Sequence, residues 1–468
     1  MRIIVENFGP IRNGDIEVQP LTIIIGNNNL GKSYLAQLIY VFLTLTKENF
    51  GGGRYYFDSL TRRVYVKAYY SLFDIDPIKK ILYEDRSNNL SLEKTTMNVL
   101  NDTIKRVELS LNETMKLTLE RTFGMLTDEL INVRSNKSNI EFFLSNNVTI
   151  NTTIEKSEKV KVKIKCDKKK IHNMLVNFIK ENNLNLRDLR RTTDIEKITS
   201  YLYNIIFAYE EDISKYLIES YYIPAGRAGL IEGYEAIVDA YMSLSTEVPF
   251  RGVSIPPLSG ITAQFYRMYL QFPSRGGPFS KLAESFNEIF KGEILFDRET
   301  RRTPFRKIVY RFKVNGKWYP IDLRHAASMI KELVPIYFTI KNLATKNSSI
   351  IIEEPESHLH PGAQIKLLDL FSNLIRNNLN LIITTHSDTI LRKMSLLIGN
   401  YITKKTDKMY LNPENVGLYW LEETEKGSVL KNVPLSGVGA DYLPTFDDII
   451  KQLYEEEVLI QEELQMVR

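Results

Sequence analysis

Residues 26–33 read Gly-Asn-Asn-Asn-Leu-Gly-Lys-Ser and match the G-x-x-x-x-G-K-S pattern of a phosphate-binding loop. An apolar run precedes the loop and a helical pattern follows it, a strand–loop–helix placement that argues against a chance match. Lys32 is the expected cation for the phosphates, and Ser33 is the expected hydroxyl ligand of Mg²⁺. The backbone amides expected to cradle the phosphates are those of Asn27, Asn28, Asn29, Leu30, Gly31, Lys32 and Ser33. The pattern therefore predicts a nucleotide site with Mg²⁺.

Two consecutive carboxylates, Glu353 and Glu354, end a second apolar run at residues 349–352. Because side chains alternate along a strand, the two carboxylates should point in different directions and can serve different roles. We predict that Glu353 holds Mg²⁺ and that Glu354 is the catalytic base that orients and polarises the attacking water. Acidic residues at a strand end are often solvent-exposed without a function. The phosphate loop upstream nevertheless favours a role of these two glutamates in nucleotide hydrolysis.

His386 follows a third apolar run, at residues 379–385. A histidine at this position is predicted to donate a hydrogen bond to the γ-phosphate and to sense its presence. The sequence between Glu354 and His386 has room for one helix and one strand, as a parallel sheet requires. The predicted catalytic residues are therefore Lys32, Glu354 and His386.

The elements that must position these residues are a sheet and its helices. The chain begins with strand patterns at 3–8 and 15–18, separated by a turn. Between residues 51 and 219, long helical patterns flank an alternating Val-Lys segment at 160–165. We interpret this region as a mostly helical insertion with a small β-hairpin, after which the core sheet resumes.

The composition is that of a soluble globular protein, with 43% hydrophobic and 25% charged residues. No apolar run approaches the roughly 20 residues of a membrane span, no secretion signal is recognisable, and Cys166 is the single cysteine. We therefore expect a cytoplasmic protein without a membrane partner. Basic residues gather at 156–170, 187–191 and 298–307, either as solvated faces, which we favour, or as contacts to nucleic acid.

Several stretches together resemble the ATP-binding-cassette (ABC) ATPases of the SMC, Rad50 and RecF type, and most closely their OLD-like AAA branch. The matching stretches are residues 3–11, 25–33, 352–361 and 385–387. The most specific of them contains Glu-Glu-Pro-Glu-Ser-His-Leu-His-Pro. The resemblance implies an α/β fold, namely an ABC-type P-loop ATPase head with a mixed or parallel central sheet. The head would comprise residues 1–50 and 220–468, and the large, mostly helical insertion residues 51–219.

The resemblance also implies that two heads sandwich two ATP molecules with Mg²⁺, so we expect a homodimer or a higher homo-oligomer. A signature loop of the partner completes each site, and its best match is 323–331, with Ser328 at the signature serine. Met329 stands where glycine is usual, which affects the tightness or speed of closure. Ser357 and His358 are expected in the loop that crosses the interface.

Two assignments implied by the resemblance are less specific. Arg227 ends a Tyr-Ile-Pro-Ala-Gly-Arg stretch and is expected to face the nucleotide or the interface; the alternative is a surface arginine after a strand. The glutamine that usually binds Mg²⁺ after the first lobe is not assigned. Gln264 and Gln271 are only positional candidates.

Only about 80 residues follow His386, with too few predicted strands for the TOPRIM nuclease domain of the OLD nucleases. We therefore expect an ATP-driven switch whose closed dimer scaffolds or controls a separate effector, with a nuclease among the candidates, in defence against viruses or plasmids. The alternative is a DNA-binding ATPase of the Rad50 or RecF kind in DNA repair or chromosome maintenance, with duplex DNA on basic segments of the insertion. The Glu-Glu-Pro-Glu string and the insertion argue against a third class, the transporter subunits.

Overall fold

The computed structural model describes most of the chain in two compact units. The described residues are 1–50, 76–87, 91–145, 148–157, 159–182, 184, 194–198, 201–202, 219–251, 258–270, 272–273, 275–297, 307–404, 408–436, 439–440, 451–452, 454–458 and 460. The first unit comprises residues 1–17, 37–220 and 257–263, and the second comprises 18–36, 221–256 and 264–468.

The first unit contains five antiparallel strands in the order β6-β5-β4-β1-β2. Their bounds are Arg2–Phe8 (β1), Ile11–Glu17 (β2), Lys137–Ser145 (β4), Val148–Glu155 (β5) and Lys159–Cys166 (β6). In β6 the valine and isoleucine side chains are buried and the lysine side chains alternate with them on the exposed face. This period of two is the pattern of a sheet with one solvated face.

Helices of the first unit cover the other face of its sheet. After α1 (Lys32–Phe50), they include α2 (Asp76–Ser87), α3 (Leu92–Phe123) and α4 (Lys168–Glu181). Helix α3 packs on β6, where the side chains of Asn112 and Glu108 accept hydrogen bonds from the amides of Val162 and Ile164. These bonds satisfy donors of an edge strand and protect it from pairing with another chain.

The second unit is built on a mixed sheet with the order β14-β13-β3-β12-β11-β7. The strands are Leu21–Gly26 (β3), Ser220–Ile223 (β7), Ser349–Glu353 (β11), Asn380–Thr384 (β12), Val416–Thr424 (β13) and Gly427–Asn432 (β14). Strands β13, β3, β12 and β11 are parallel to one another, and β14 is antiparallel to β13. Every residue of β3, β11 and β12 is buried, as expected for central parallel strands with both faces covered.

Helices and a small antiparallel sheet complete the second unit. The helices include α5 (Arg227–Arg251), α6 (Gly260–Leu270), α7 (Ser280–Ala283), α8 (Phe286–Phe290), α9 (Ser328–Phe338), α10 (Pro361–Arg376) and α11 (Asp388–Ile402). The small sheet has the order β10-β9-β8, with Gly292–Phe296 (β8), Ile308–Val314 (β9) and Lys317–Asp322 (β10). The paired segments Leu435–Ser436 (β15) and Gly439–Ala440 (β16) follow. Among the described helices, none is both long and apolar enough to cross a membrane.

The predicted α/β class with a mixed sheet is confirmed, while several details differ from the prediction. The first turn is shorter, because β2 begins at Ile11. The insertion contributes three strands instead of one hairpin, because β4 pairs with β1 as well as with β5. The compact units consequently group residues 1–17 with the insertion.

The basic segments at 187–191 and 298–306 lie outside the described residues.

Candidate functional site

The phosphate loop leaves β3 at Gly26, where its conformation requires glycine. Gly26 has a φ of +146°, and a Cβ atom there would lie 2.8 Å from the carbonyl oxygen of Leu421 on β13. Gly31, where the loop turns into α1, has a φ of +99°. Only glycine adopts such backbone angles without strain. Residues 27–29 between the two glycines are exposed, ahead of a helix N-terminus, which is a favourable position for an anion.

Lys32 and Ser33 open α1 and carry the two side chains predicted for the phosphates and Mg²⁺. The Nζ atom of buried Lys32 donates hydrogen bonds to the carbonyl oxygens of Gly26 at 2.9 Å and Asn27 at 2.8 Å. Burial lowers the pKa of Lys32, and the three carboxylates within 353–356 oppose that shift. Ser33 is exposed. The exposed loop residues 27–29, the lysine ammonium and the serine hydroxyl fit a nucleoside triphosphate with Mg²⁺.

A residue far along the chain supports this loop. The Oγ atom of Ser428, near the start of β14, donates a hydrogen bond of 2.6 Å to the carbonyl oxygen of Leu30, and the bond is buried. Leu30 is itself buried between exposed Asn29 and the helix. The loop is therefore held from β14 as well as from the strand and helix that flank it.

The carboxylate of Glu353, at the end of β11, is buried and turned toward β7 and the segment that follows it. Its Oε1 accepts a hydrogen bond from the hydroxyl of Tyr222 at 2.6 Å, and its Oε2 accepts one from the amide of Ala225 at 3.0 Å. An ionised carboxylate has about four acceptor sites, so both oxygens retain capacity for a further ligand. The two protein donors fix the orientation of the carboxylate that we predict to serve Mg²⁺.

Glu354 has a different environment from its neighbour. Its backbone adopts a φ of +43°, which is uncommon for a residue with a side chain and costs about 1–3 kcal/mol. The side chain is 41% exposed, and its Oε1 lies 3.9 Å from Nε2 of His386. Burial and the charge of Lys32 lower the pKa of His386, whereas the charge of Glu354 opposes that shift. The predicted base and the predicted γ-phosphate sensor are thus neighbours.

Glu356 holds the segment that carries His386. Its Oε1 accepts hydrogen bonds from the hydroxyl of Thr385 at 2.7 Å and from the amide of His386 at 2.8 Å. Its Oε2 is buried and has no hydrogen-bond partner among the described residues. Burial raises the pKa of Glu356, although the two bonds to its Oε1 oppose that shift.

The strand register explains why residues from three distant parts of the chain meet. Thr384 of β12 pairs with Ile24 of β3 on one side and with Glu353 of β11 on the other. Parallel strands end at the same edge of a sheet, where ligands of open α/β sheets bind. The phosphate loop, the two carboxylates and His386 therefore follow neighbouring strand ends.

The chain matches a family profile described as AAA ATPase domain over residues 1–247 and 281–391, which is more than half of its length. The chain belongs to the AAA ATPase domain family. None of the curated proteins compared with this AAA ATPase matches it.

Solved structures similar to this AAA ATPase include three head domains of SMC proteins, each with 11% or 12% sequence identity. An SMC head bound to the C-terminal winged-helix domain of ScpA has 12% identity and a TM-score of 0.39, with 93% of this chain and 97% of that chain covered. An SMC head with an extended coiled coil, bound to the C-terminal domain of ScpA from Pyrococcus furiosus, has 11% identity and a TM-score of 0.40, with coverages of 97% and 98%. The SMC head domain from Thermotoga maritima has 11% identity and a TM-score of 0.35, with coverages of 92% and 98%.

In this AAA ATPase, Arg227 is placed differently from both expectations drawn from the sequence. Its side chain is completely buried. The guanidinium donates to the carbonyl oxygens of Glu332 (2.9 Å), Pro224 (2.8 Å), Glu353 (2.6 Å) and Glu354 (3.0 Å). Neither a contact with the nucleotide nor a solvated surface arginine fits this position, because protein groups surround the side chain.

The predicted signature segment forms the start of helix α9. Ser328 is the first residue of that helix and is exposed, whereas Ile330 is buried. An exposed hydroxyl at the N-terminus of an 11-residue helix is suited to an anionic group. The in-trans role of Ser328 remains a prediction, since it depends on a second subunit.

Several residues that shape the site escaped prediction because their neighbours are distant in sequence. Tyr222 and Glu356 lie in motifs that the sequence singled out, so a search for partners of the carboxylates within those motifs would have found them. Glu332, the carboxylate that faces Arg227, carries no comparable signal.

The glutamine expected to bind Mg²⁺ is still not assigned. The amide oxygen of Gln264 is buried with no hydrogen-bond partner in the described part of the chain, and Gln271 is outside it.

Proposed function

We propose that this protein hydrolyses ATP to ADP and phosphate and that hydrolysis resets a switch between separate and dimerised heads. The observation that carries the proposal is the convergence of Lys32, Glu354 and His386 at neighbouring strand ends. Phosphoryl transfer needs a cradle for the phosphates, a group that orients water and a group that reads the γ-phosphate. Each of these needs has a candidate side chain here.

The steps of ATP hydrolysis are assigned to Lys32 of the phosphate loop and to Glu354 and His386 next to it. Lys32 would exchange its two bonds to loop carbonyls for bonds to phosphate oxygens. Glu354, partly exposed and next to His386, would accept a proton from the attacking water, and His386 would donate to the γ-phosphate. The lowered pKa of His386 keeps its imidazole neutral near pH 7. A neutral imidazole has one N–H that can donate to the γ-phosphate and one nitrogen that can accept a hydrogen bond.

Ser33 and Glu353 are the residues that would hold Mg²⁺. The ion, when bound, neutralises charge that develops on the phosphates. Glu353 receives two protein hydrogen bonds, and these would keep its carboxylate aligned while ligands exchange. Hydrogen bonds from neighbouring protein groups set the orientation of metal-binding side chains.

We further propose that ATP closes a homodimer, with Ser328 of each head completing the partner's site, and that the closed form controls a separate effector protein. The resemblance to the OLD-like branch is the reason to place this switch in defence against viruses or plasmids. Exposure of Ser328 at a helix N-terminus supports the closure step. The switch model requires slow hydrolysis that an effector or a trigger alters.

The alternative of a DNA clamp receives less support from the insertion. Three exposed lysines of β6 each have an acidic partner: Lys161 with Glu155 at 2.7 Å, Lys163 with Glu108 at 3.3 Å and Lys165 with Glu141 at 3.1 Å. Paired charges contribute less net positive potential to the surface than the sequence alone suggests. The basic face of β6 therefore resembles a solvated surface more than a phosphate-binding one.

Steady-state ATP hydrolysis by the purified full chain tests the proposal, with Lys32→Ala as the blank. Linear duplex DNA is titrated at about 50 and 200 mM salt, because binding to DNA phosphates weakens steeply over that range. We expect slow turnover that depends on Lys32 and is indifferent to DNA. Hydrolysis unaffected by Lys32→Ala would overturn the ATPase assignment, and a salt-sensitive stimulation by DNA would favour the clamp.

A further inference from the structure

The segment around Arg227 links two parts of the ATPase that the proposed mechanism treats separately. One part is the end of β11, which carries Glu353 and Glu354. The other is helix α9, which begins at Ser328 and carries Glu332 one turn later. Arg227 donates to the carbonyl oxygens of all three glutamates from one planar guanidinium.

A carboxylate reinforces the contact between Arg227 and helix α9. Oε2 of Glu332 lies 2.8 Å from Nε of Arg227, and both side chains are buried. The other oxygen of Glu332 accepts a hydrogen bond of 3.0 Å from the amide of Ala228, in the first turn of α5. One turn further along α5, Glu232 forms an ion pair with Lys331, whose Nζ also donates to the carbonyl oxygen of Arg324 at 3.2 Å. Helices α5 and α9 are thus joined at two levels.

The contact of Arg227 with Glu354 fixes an unusual backbone. With a φ of +43°, Glu354 is held by a bond from Arg227 to its carbonyl oxygen and by a bond from its own amide to the carbonyl oxygen of Thr384 at 2.9 Å. A residue in such a conformation persists only where its surroundings determine it. The direction of the Glu354 side chain therefore depends on the position of Arg227.

We infer that Arg227 is a positioning residue that transmits the position of the signature helix to the catalytic carboxylate. When the phosphate of a nucleotide on the partner subunit binds Ser328, helix α9 is displaced together with Glu332. Because Glu332 contacts Arg227, Arg227 moves as well. Arg227 in turn binds the carbonyl oxygen of Glu354, so the direction of the Glu354 side chain changes. The inference rests on the proposed function, because it presumes that Ser328 acts across a dimer. Its consequence is that the direction of the Glu354 side chain depends on the position of helix α9.

The test is a double-mutant cycle on kcat with Arg227→Lys and Ser328→Ala. A lysine keeps the positive charge next to Glu332 but cannot reach four carbonyl oxygens with a planar fork. We expect Arg227→Lys to lower kcat by roughly 10- to 100-fold, as misplacement of a catalytic group by about 1 Å does. Nucleotide affinity should change by less than about 3-fold, because Arg227 does not contact the phosphate loop. The two substitutions should be non-additive, since both interrupt one chain of contacts.

Glu332→Gln is the second variant, because it keeps an acceptor for the Ala228 amide while removing the charge. It should also lower kcat and be non-additive with Ser328→Ala. Arg106→Lys, which makes the same replacement in a partly buried ion pair with Asp102 in the first unit, is the matched control and should leave kcat unchanged. Additive effects of Arg227→Lys and Ser328→Ala would overturn the inference. So would a fall in kcat that equals the fall in the fraction of protein that binds nucleotide, because the variant would then only be misfolded. Both results would leave the ATPase assignment intact. Absence of Lys32-dependent hydrolysis in the wild type would instead reject the proposed function.

Discussion

Nε2 of His386 lies 3.9 Å from Oε1 of Glu354, although the two residues are 32 positions apart in the chain (386 minus 354) and a complete helix lies between them. The distance is longer than a hydrogen bond and short enough for their charges to interact. The charge of Glu354 raises the pKa of His386, in opposition to burial and the charge of Lys32. This relationship links the two catalytic assignments and makes both open to measurement.

The first prediction concerns the base. Glu354→Gln should slow ATP hydrolysis by about 10²- to 10⁴-fold, the range that general-base catalysis contributes, and should retain nucleotide binding. The closed dimer should then accumulate with ATP, which size-exclusion chromatography with light scattering detects. Glu425→Gln, an exposed substitution of the same chemistry, is the control. Hydrolysis by Glu354→Gln at the wild-type rate would remove Glu354 from the mechanism.

The second prediction concerns pH. The pKa of His386 is lowered from an ordinary value of 6.5 by burial and by the charge of Lys32. Protonation below that lowered pKa would draw the Glu354 carboxylate into an ion pair and weaken it as a base. The value of kcat/KM for ATP, which reports groups of the free protein, should therefore stay level near pH 7 and fall only below pH 6.5. His386→Gln should lose this inflection, and an inflection above pH 6.5 in the wild type would contradict the assignment.

The third prediction concerns the stability contributed by Glu356, whose pKa is raised above 4.5 by burial. The folded state binds this proton more tightly than the unfolded state, so its contribution is complete below pH 4.5 and is lost as pH rises through the folded pKa. Glu356→Gln removes this term and keeps a carbonyl oxygen for Thr385 and His386. The difference in unfolding temperature between the variant and the wild type should shift in favour of the variant as pH rises from 5 to 8.

Because one proton corresponds to about 1.4 kcal/mol per pH unit, the shift should be measurable by differential scanning calorimetry. Glu414→Gln, at an exposed turn, serves as the control for the loss of one carboxylate. A difference in unfolding temperature that is constant with pH would show that Glu356 titrates alike in both states.

The fourth prediction concerns completion of the site by a partner. Ser328→Arg and Lys32→Ala should each abolish hydrolysis in homodimers. A mixture of the two should recover activity, because a heterodimer has one site with an intact Lys32 facing an intact Ser328. Random pairing of equal amounts leaves about a quarter of the sites intact. Activity of the mixture no higher than that of either variant alone would argue against composite sites.

The phosphate loop, the paired glutamates and His386 could all be identified from the sequence, because each is a short motif at the end of an apolar run. The alternating pattern of residues 160–165 likewise identified β6 and its exposed lysines. The location of Arg227 could not be predicted. A Tyr-Ile-Pro-Ala-Gly-Arg stretch is compatible with an exposed or a buried arginine, and the acceptors that decide between them come from residues 332, 353 and 354, more than 100 positions away.

The sequence by itself therefore indicated the local chemistry: which groups are candidates to bind phosphate, which carboxylates are candidates to accept a proton, and which apolar runs are the central strands β3, β11 and β12. The tertiary structure decided which of these groups meet. It aligned β3 with β12 and β12 with β11, joined β4 to β1, and enclosed Arg227 between β11 and helix α9. The physical reason is that a motif depends on neighbours along the chain, whereas burial and hydrogen-bond partners depend on side chains that only folding brings within a few ångströms.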